Sequence, residues 1–398
     1  MNWQAYNPNW AFHTALRARA TRWQRRQQLR PEQLLAIEAA YPLPYYQPVW
    51  PLRVGLFIFT WIGLAMMGGF LVLLTRGYYP FATGLVGSLA CFGALELLVR
   101  KRPCYHAGID NALLYAGLGI AFWLILYVFP DTDRWNPADS SPFNDFLPLT
   151  LGLLLLLAAA VRYADGLASA VAFGTVLLLV QQALVAAAVP PFILLRPFLC
   201  MATASAALLG YRFMGRRLAG TALADYYATC LLVVKLLALT VFYLGGNYLV
   251  VRENYAMLRY QFLSPQIPFA PVFYAFTAVV PLLYIGQGLR RADRPTLLLG
   301  LLTLAFSLFT LRHYRSLLPP EIAAVAGGLV LTVAAGALLR FLRPARFGLT
   351  SLPDDEPRHF NLENLIQAQT AHVPGAPVTE GFAFGGGHSG GGGATGDF

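Results

Sequence analysis

Lys235 places an ammonium inside a long apolar run, and a charge in that setting needs a partner or a purpose. It follows Asp225 by ten residues, roughly 15 Å along a helix, which would set it near the midplane of a bilayer. A charge at that depth costs about 3 kcal/mol on insertion scales, so it faces a bundle interior, a counter-ion or water. Glu96 lies one turn inside the inner end of another apolar run and could pair with Lys235 or reach back to the surface. Gln181 and Gln182 lie deep in a third run, and Arg196 near the outer end of a fourth. Lys235, Glu96, Gln181 and Arg196 could together line a polar pathway or binding cavity. They could equally be structural, as one buried ion pair with interhelical hydrogen bonds from the glutamines. The scarcity of carboxylates within the apolar runs favours the structural reading.

Other polar groups offer less. Cys104, Tyr105, His106 and Asp110 bring a thiol, an imidazole and a carboxylate into one short loop. A nucleophile and its base need that much, but nothing nearby resembles an oxyanion hole, and no catalytic residue is assigned. Asp131-Thr132-Asp133 begins like a calcium loop but lacks Gly at the sixth position and Glu at the twelfth. The six histidines are scattered without paired spacing, so no metal and no cofactor is expected. Cys91, Cys104, Cys200 and Cys230 form no close pair and read as reduced thiols.

The elements that carry these groups are apolar segments long enough to cross a membrane. Of 398 residues 57% are hydrophobic and 12% charged, against about a quarter charged in a soluble domain. Ten spans are expected: 54–74, 81–99, 112–129, 146–161, 167–188, 192–211, 226–250, 268–286, 296–311 and 322–342. Each approaches the 20 or so residues that cover a hydrocarbon core. The fold class is therefore all-α, a polytopic transmembrane bundle. Basic residues fix its orientation, because short loops rich in Arg and Lys stay in the cytoplasm. With the N-terminus inside, 21 of them fall on inner segments, including Arg100-Lys101-Arg102, Arg162, Arg216-Arg217 and Arg290-Arg291. Six fall outside: Arg76, Arg134, Arg252, Arg259, Arg312 and Arg315. Both ends are thus expected in the cytoplasm. The net charge of +10 lies in short blocks suited to lipid head groups, without the continuous basic face that nucleic acid requires.

Three parts follow: a cytoplasmic basic helical segment over 1–50, the bundle over 51–342, and a cytoplasmic tail over 343–398. In the first, Phe12, Leu16, Ala20 and Trp23 share one helical face among five arginines. Such a helix could lie on anionic lipid head groups or fold with a second helix from Pro31 into a hairpin packed on the protein's own loops. No cleavable signal peptide is visible before residue 51. A short helix is expected over 361–369. The last 18 residues hold 9 glycines and read as disordered. Pro281 and Gly245-Gly246-Asn247 could interrupt their spans, though a simple kink is the plainer outcome. Ladders of small residues, Ala324-Gly328-Thr332-Gly336, Ala202-Ala206-Gly210 and Gly117-Ala121, promise close helix packing, within the chain in preference to a dimer. No matching motifs mark the two halves as repeats.

Two stretches carry a resemblance. Leu29-Arg30-Pro31-Glu32-Gln33-Leu34, with an aromatic-Pro linker and a Gly-rich first span, resembles the start of uncharacterised bacterial multi-pass membrane proteins. The end, from Phe384 to Phe398, is similar to the FGGGxxGGGGAxGxF-type tails of several bacterial membrane proteins. The resemblance implies a bacterial inner (cytoplasmic) membrane protein and carries no catalytic residue with it. The leading functional expectation is a non-enzymatic envelope interaction or scaffold protein, with protein partners for the tail. The alternative is a small-molecule transporter or flippase with a polar cavity near Lys235.

Overall fold

The computed structural model describes residues 3–25, 27–46, 48–101, 104–129, 142–186, 195–258 and 266–314, with residues 325, 328, 329, 332, 333, 336, 337 and 340 beyond them. The tenth expected span, its small-residue ladder and the tail with its expected helix therefore lie almost wholly outside the described residues. So does the acidic loop around Asp131.

Several membrane helices carry a proline in the first turn, among them Pro51, Pro80, Pro271 and Pro295. In chain order the membrane helices begin with α3 (Trp50–Leu74), α4 (Pro80–Lys101), α5 (Ile109–Val128), α6 (Pro142–Tyr163), α7 (Gly166–Ala186) and α8 (Leu195–Leu218). The short α9 (Ala222–Tyr226) precedes α10 (Ala228–Gly246) and α11 (Tyr248–Leu258), and α12 (Ala270–Arg290) and α13 (Arg294–Tyr314) follow. Among the described residues nine helices are long and apolar enough to cross a membrane, and no strand is present. The chain is an all-α polytopic bundle. Its lipid-facing side explains the large residues: α3 buries none of its side chains, and Phe59, Met66, Phe70 and Leu73 stand exposed.

Without a hydrophobic force between helices in lipid, close approach and hydrogen bonds hold the bundle. Ala112, Ala116, Ala168, Ala204 and Ala238 are buried, as are Thr277, Thr303, Ser307 and Thr310. The tightest contact joins α12 to α13, where a Cβ on Gly288 would meet the Leu297 amide at 2.7 Å and one on Gly300 the Ile285 amide at 2.8 Å. Gly117 also packs inward, against Phe92 and Cys91. The ladder on α8 does not behave as expected. Ala202, Ala206 and Gly210 face outward, and Ala204, on another face of the same helix, takes the interior position.

The N-terminal segment settles on the bundle itself. Helices α1 (Pro8–Arg25) and α2 (Pro31–Ala40) form a hairpin, and α1 packs against α9. Ala11 and Ala20 are buried, and the Ala5 amide donates to the Arg162 carbonyl at 2.8 Å. Of the two readings for this segment, the structure takes the hairpin on the protein's own loops. Its contacts gather the ends of α4, α6 and α9 and the loop before α5 at one end of the bundle. The charge rule assigns those same segments to the cytoplasm, and this end is called inner below.

The seventh span is two helices, not one. Asn247 is fully buried between α10 and α11, and its Oδ1 accepts from the Leu249 and Val250 amides at 3.0 and 3.3 Å. Its Nδ2 donates to the Tyr243 hydroxyl at 2.9 Å and to the Thr310 hydroxyl at 3.2 Å. The side chain thus supplies partners that a continuous helix would have supplied from its backbone. Pro281 leaves α12 unbroken.

Candidate functional site

Glu96 and Lys235 are paired, but not with each other. Arg162, at the inner end of α6, grips Glu96 with two bonds of 2.7 Å, and the Tyr163 hydroxyl donates to the same carboxylate at 2.6 Å. Lys235 instead donates to Asp293, in the turn between α12 and α13, at 2.6 Å. The expected Glu96–Lys235 pair is absent. The expected depth of Lys235 also changes, because α10 begins only at Ala228. Lys235 is then about 10 Å from the start of its helix, and its flexible stem carries the ammonium toward the inner turn.

Asp293 is held by two donors, Lys235 and, at 2.8 Å, the Thr296 hydroxyl. Burial acts to raise its carboxyl, but those hydrogen bonds outweigh it and keep the group below its ordinary range. A depressed carboxylate stabilises above its unfolded value and ceases to do so as pH falls through the folded one. Asp293→Asn should therefore lower the unfolding midpoint in detergent at pH 7, by about 1–2 kcal/mol for a pair of this partial exposure. The deficit should begin to shrink as pH falls below about 4, the ordinary carboxylate value, and vanish only below the still lower folded value. An unchanged midpoint at pH 7 would show that the pair carries no stability.

Among the described residues two cavities with charged groups in their walls stand out once these pairs are set aside. The inner one encloses about 580 Å³ between the starts of α7 and α10 and the loops at that end. Arg53, His106, Tyr115, Asp165 and Asp225 line it. Asp165 is 4% exposed and caps α7 by accepting from the Ala168 amide at 2.7 Å, while the Tyr115 hydroxyl donates to it at 2.8 Å. Asp225 is held by Arg19 of α1 at 2.8 Å. Beside the cavity, Tyr6 donates to the buried Asp110 at 2.6 Å. Burial first, then the Asp110 charge, pushes the Tyr6 phenol well above its usual range, so it stays a donor. The Tyr105 phenol is pushed up to about 12, chiefly by burial. His106 contacts Asn111 at 3.3 Å. Among the described residues no three His, Cys, Asp or Glu side chains converge to hold a metal ion.

The outer cavity encloses about 440 Å³ where α7, α8, α10 and α11 meet, beside the break at Asn247. Gln181 and Arg196 both line it, so the structure joins two of the four residues singled out by sequence. The Gln181 amide donates to the Cys200 sulfur at 3.0 Å. Lys235 and Glu96 line neither cavity.

No family model, curated protein or solved structure matches this chain. The reading therefore rests on geometry alone.

That geometry has a regularity. Gly166 and Ala170 of α7 line the inner cavity, and Leu177 and Gln181 line the outer one. With Phe173 between them, these positions recur every three or four residues and form one stripe of the helix. On α10, Thr229 and Val233 face the inner cavity and Val241 and Gly245 the outer, with Leu237 between. The contact between α7 and α10 thus extends from the inner cavity toward the outer one, where Gly245 turns to Pro197 and Met201 of α8. Where the two cavities would join, Phe173, Ala204 and Ala238 form a buried apolar cluster backed by Leu177, Leu237 and Val241. Sequence inspection found Gln181 and Arg196 but missed Asp165 and Asp293. A signal for both was available, because each Asp stands at a helix start with a hydroxyl residue three or four positions on, as in a cap.

Proposed function

We propose that the protein is a small-molecule transporter of the bacterial cytoplasmic membrane, whose solute moves along the seam between α7 and α10. The observation that carries this reading is that α7 and α10 both line a cavity at each end, each with polar groups in its wall, and that a buried apolar cluster about 10 Å long lies between them. An apolar constriction between two wetted vestibules is how a membrane path is kept shut. The break at Asn247 and the short α9 give α10 a joint at each end, as expected for a helix that must tilt to open one side at a time. The interaction reading loses support, because the basic helix it would use as a free contact is packed onto the bundle. The FGGG-type tail supports the bacterial membrane assignment by resemblance.

Site-directed labelling in sealed vesicles tests this, starting from a variant whose four native cysteines are replaced. Cysteines at Leu177 and Val241 should react with an impermeant thiol reagent from the outer face only. Those at Ala170 and Val233 should react from the inner face only, and Ala238→Cys from neither at rest. Failure of both outer and inner positions to react from any side would mean a solid bundle and would end the proposal.

A further inference from the structure

The outer cavity has a composition that names its ligand. Its walls are mainly apolar, from residues such as Leu177, Val241 and Leu244, and its polar groups include Arg196, Gln181 and Asn254. Among the described residues no carboxylate lines it. Among the described residues, no hydrogen bond or ion pair engages the Arg196 guanidinium, whereas Lys235 and Arg162 each have a carboxylate. Among the described residues Lys235 and Arg162 are thus neutralised by carboxylates and Arg196 by none. Arginine in the apolar part of a bundle is costly and is kept where something requires its charge. Among the described residues nothing supplies the counter-charge of Arg196. The volume, about 440 Å³, falls within the range of pockets that hold a small organic molecule.

We infer that the outer cavity binds an amphipathic anion, a single apolar chain ending in a carboxylate or phosphate. Arg196 takes the head as a charge-assisted, bidentate-capable donor. The Gln181 and Asn254 amides line the same cavity as further polar partners, and the aliphatic residues of α7 and α10 hold the tail. A free inorganic anion would leave that apolar wall unfilled, and a neutral lipid would leave the guanidinium unpaired. As a statement about cargo this rests on the transport reading. As a statement about binding it does not, and the two fail separately.

The test is equilibrium binding of a fluorescent fatty-acid carboxylate to the full-length protein in an uncharged detergent, competed by laurate, methyl laurate or inorganic phosphate. Laurate should displace the probe, methyl laurate should be weaker by about tenfold or more, and phosphate should not compete. Arg196→Gln should weaken laurate by about tenfold, the loss of one charge-assisted contact worth about 1.4 kcal/mol. Arg196→Lys should restore most of it. Leu177→Trp fills the cavity and should abolish binding with Arg196 in place, which keeps the inference testable if Arg196→Gln does not fold. Equal competition by laurate and its methyl ester, or by phosphate and laurate, would overturn it. Unchanged binding in both Arg196→Gln and Leu177→Trp would do the same. Laurate binding without solute flux would sink only the transport reading, and flux without laurate binding only the ligand.

Discussion

Replacing Arg162 by Ala is expected to lower the unfolding free energy in detergent by about 2–4 kcal/mol and to free the N-terminal hairpin to exchange its amide hydrogens. The guanidinium links three parts of the chain. Two of its nitrogens hold Glu96 of α4, and a third donates to the Trp3 carbonyl at 2.9 Å. The pair is about one-quarter exposed on each side, so water shares the load and the cost falls below that of a fully buried bridge. The Arg162 backbone carbonyl, which accepts from the Ala5 amide and the Tyr226 hydroxyl, survives the substitution. Docking is therefore weakened, not abolished. Glu96→Gln should cost less, since the Tyr163 hydroxyl and one guanidinium bond retain an acceptor. The double variant Arg162→Met/Glu96→Met should recover much of the loss, because no charge is then stranded. An Arg162→Ala protein with wild-type stability and unchanged exchange over residues 3–25 would show that the hub holds nothing.

How far the sequence reveals these features follows from the physics of each. The spans are legible because hydrocarbon thickness sets a length, and Trp50–Leu74 or Arg294–Tyr314 cannot be mistaken for loops. The pairing of Glu96 with Arg162 is not, because 66 residues separate them and helix neighbours in a bundle leave no local pattern. Asp293 was hidden by its neighbours. It lies among Arg290, Arg291 and Arg294, so the turn reads as basic and its one carboxylate as solvent-facing. The seam is harder still. A helix such as α7 is apolar on every face, so no amphipathic stripe distinguishes the side that meets a cavity from the side that meets lipid. The α8 ladder failed for the same reason, since small residues permit close approach without saying which face makes it. Gln181 and Arg196 escaped this limit because polar groups in an apolar run are conspicuous on any face.

Phe173→Ala should turn a closed path into a leak. The ring is 8% exposed and sits against Ala204 and Ala238; it is the one large side chain among the three buried residues of this cluster between α7, α8 and α10. Its removal leaves a void between the two cavities, one with polar vestibules on both sides from which water can enter. An apolar constriction excludes water only while it stays narrow. Uncontrolled solute permeability in proteoliposomes should rise by about tenfold or more, since each 1.4 kcal/mol off a barrier is a decade in rate. The same change removes core packing worth about 3–5 kcal/mol, so a leak has to be told apart from general unfolding. Phe173→Leu does this by keeping the plug apolar and nearly full, and it should stay closed. Ala238→Ser does it from the other helix by adding a hydroxyl at almost constant volume, and it should leak without the packing loss. If Phe173→Ala and Ala238→Ser both remain as tight as the wild type while folded, the two cavities are unconnected and the seam carries no solute.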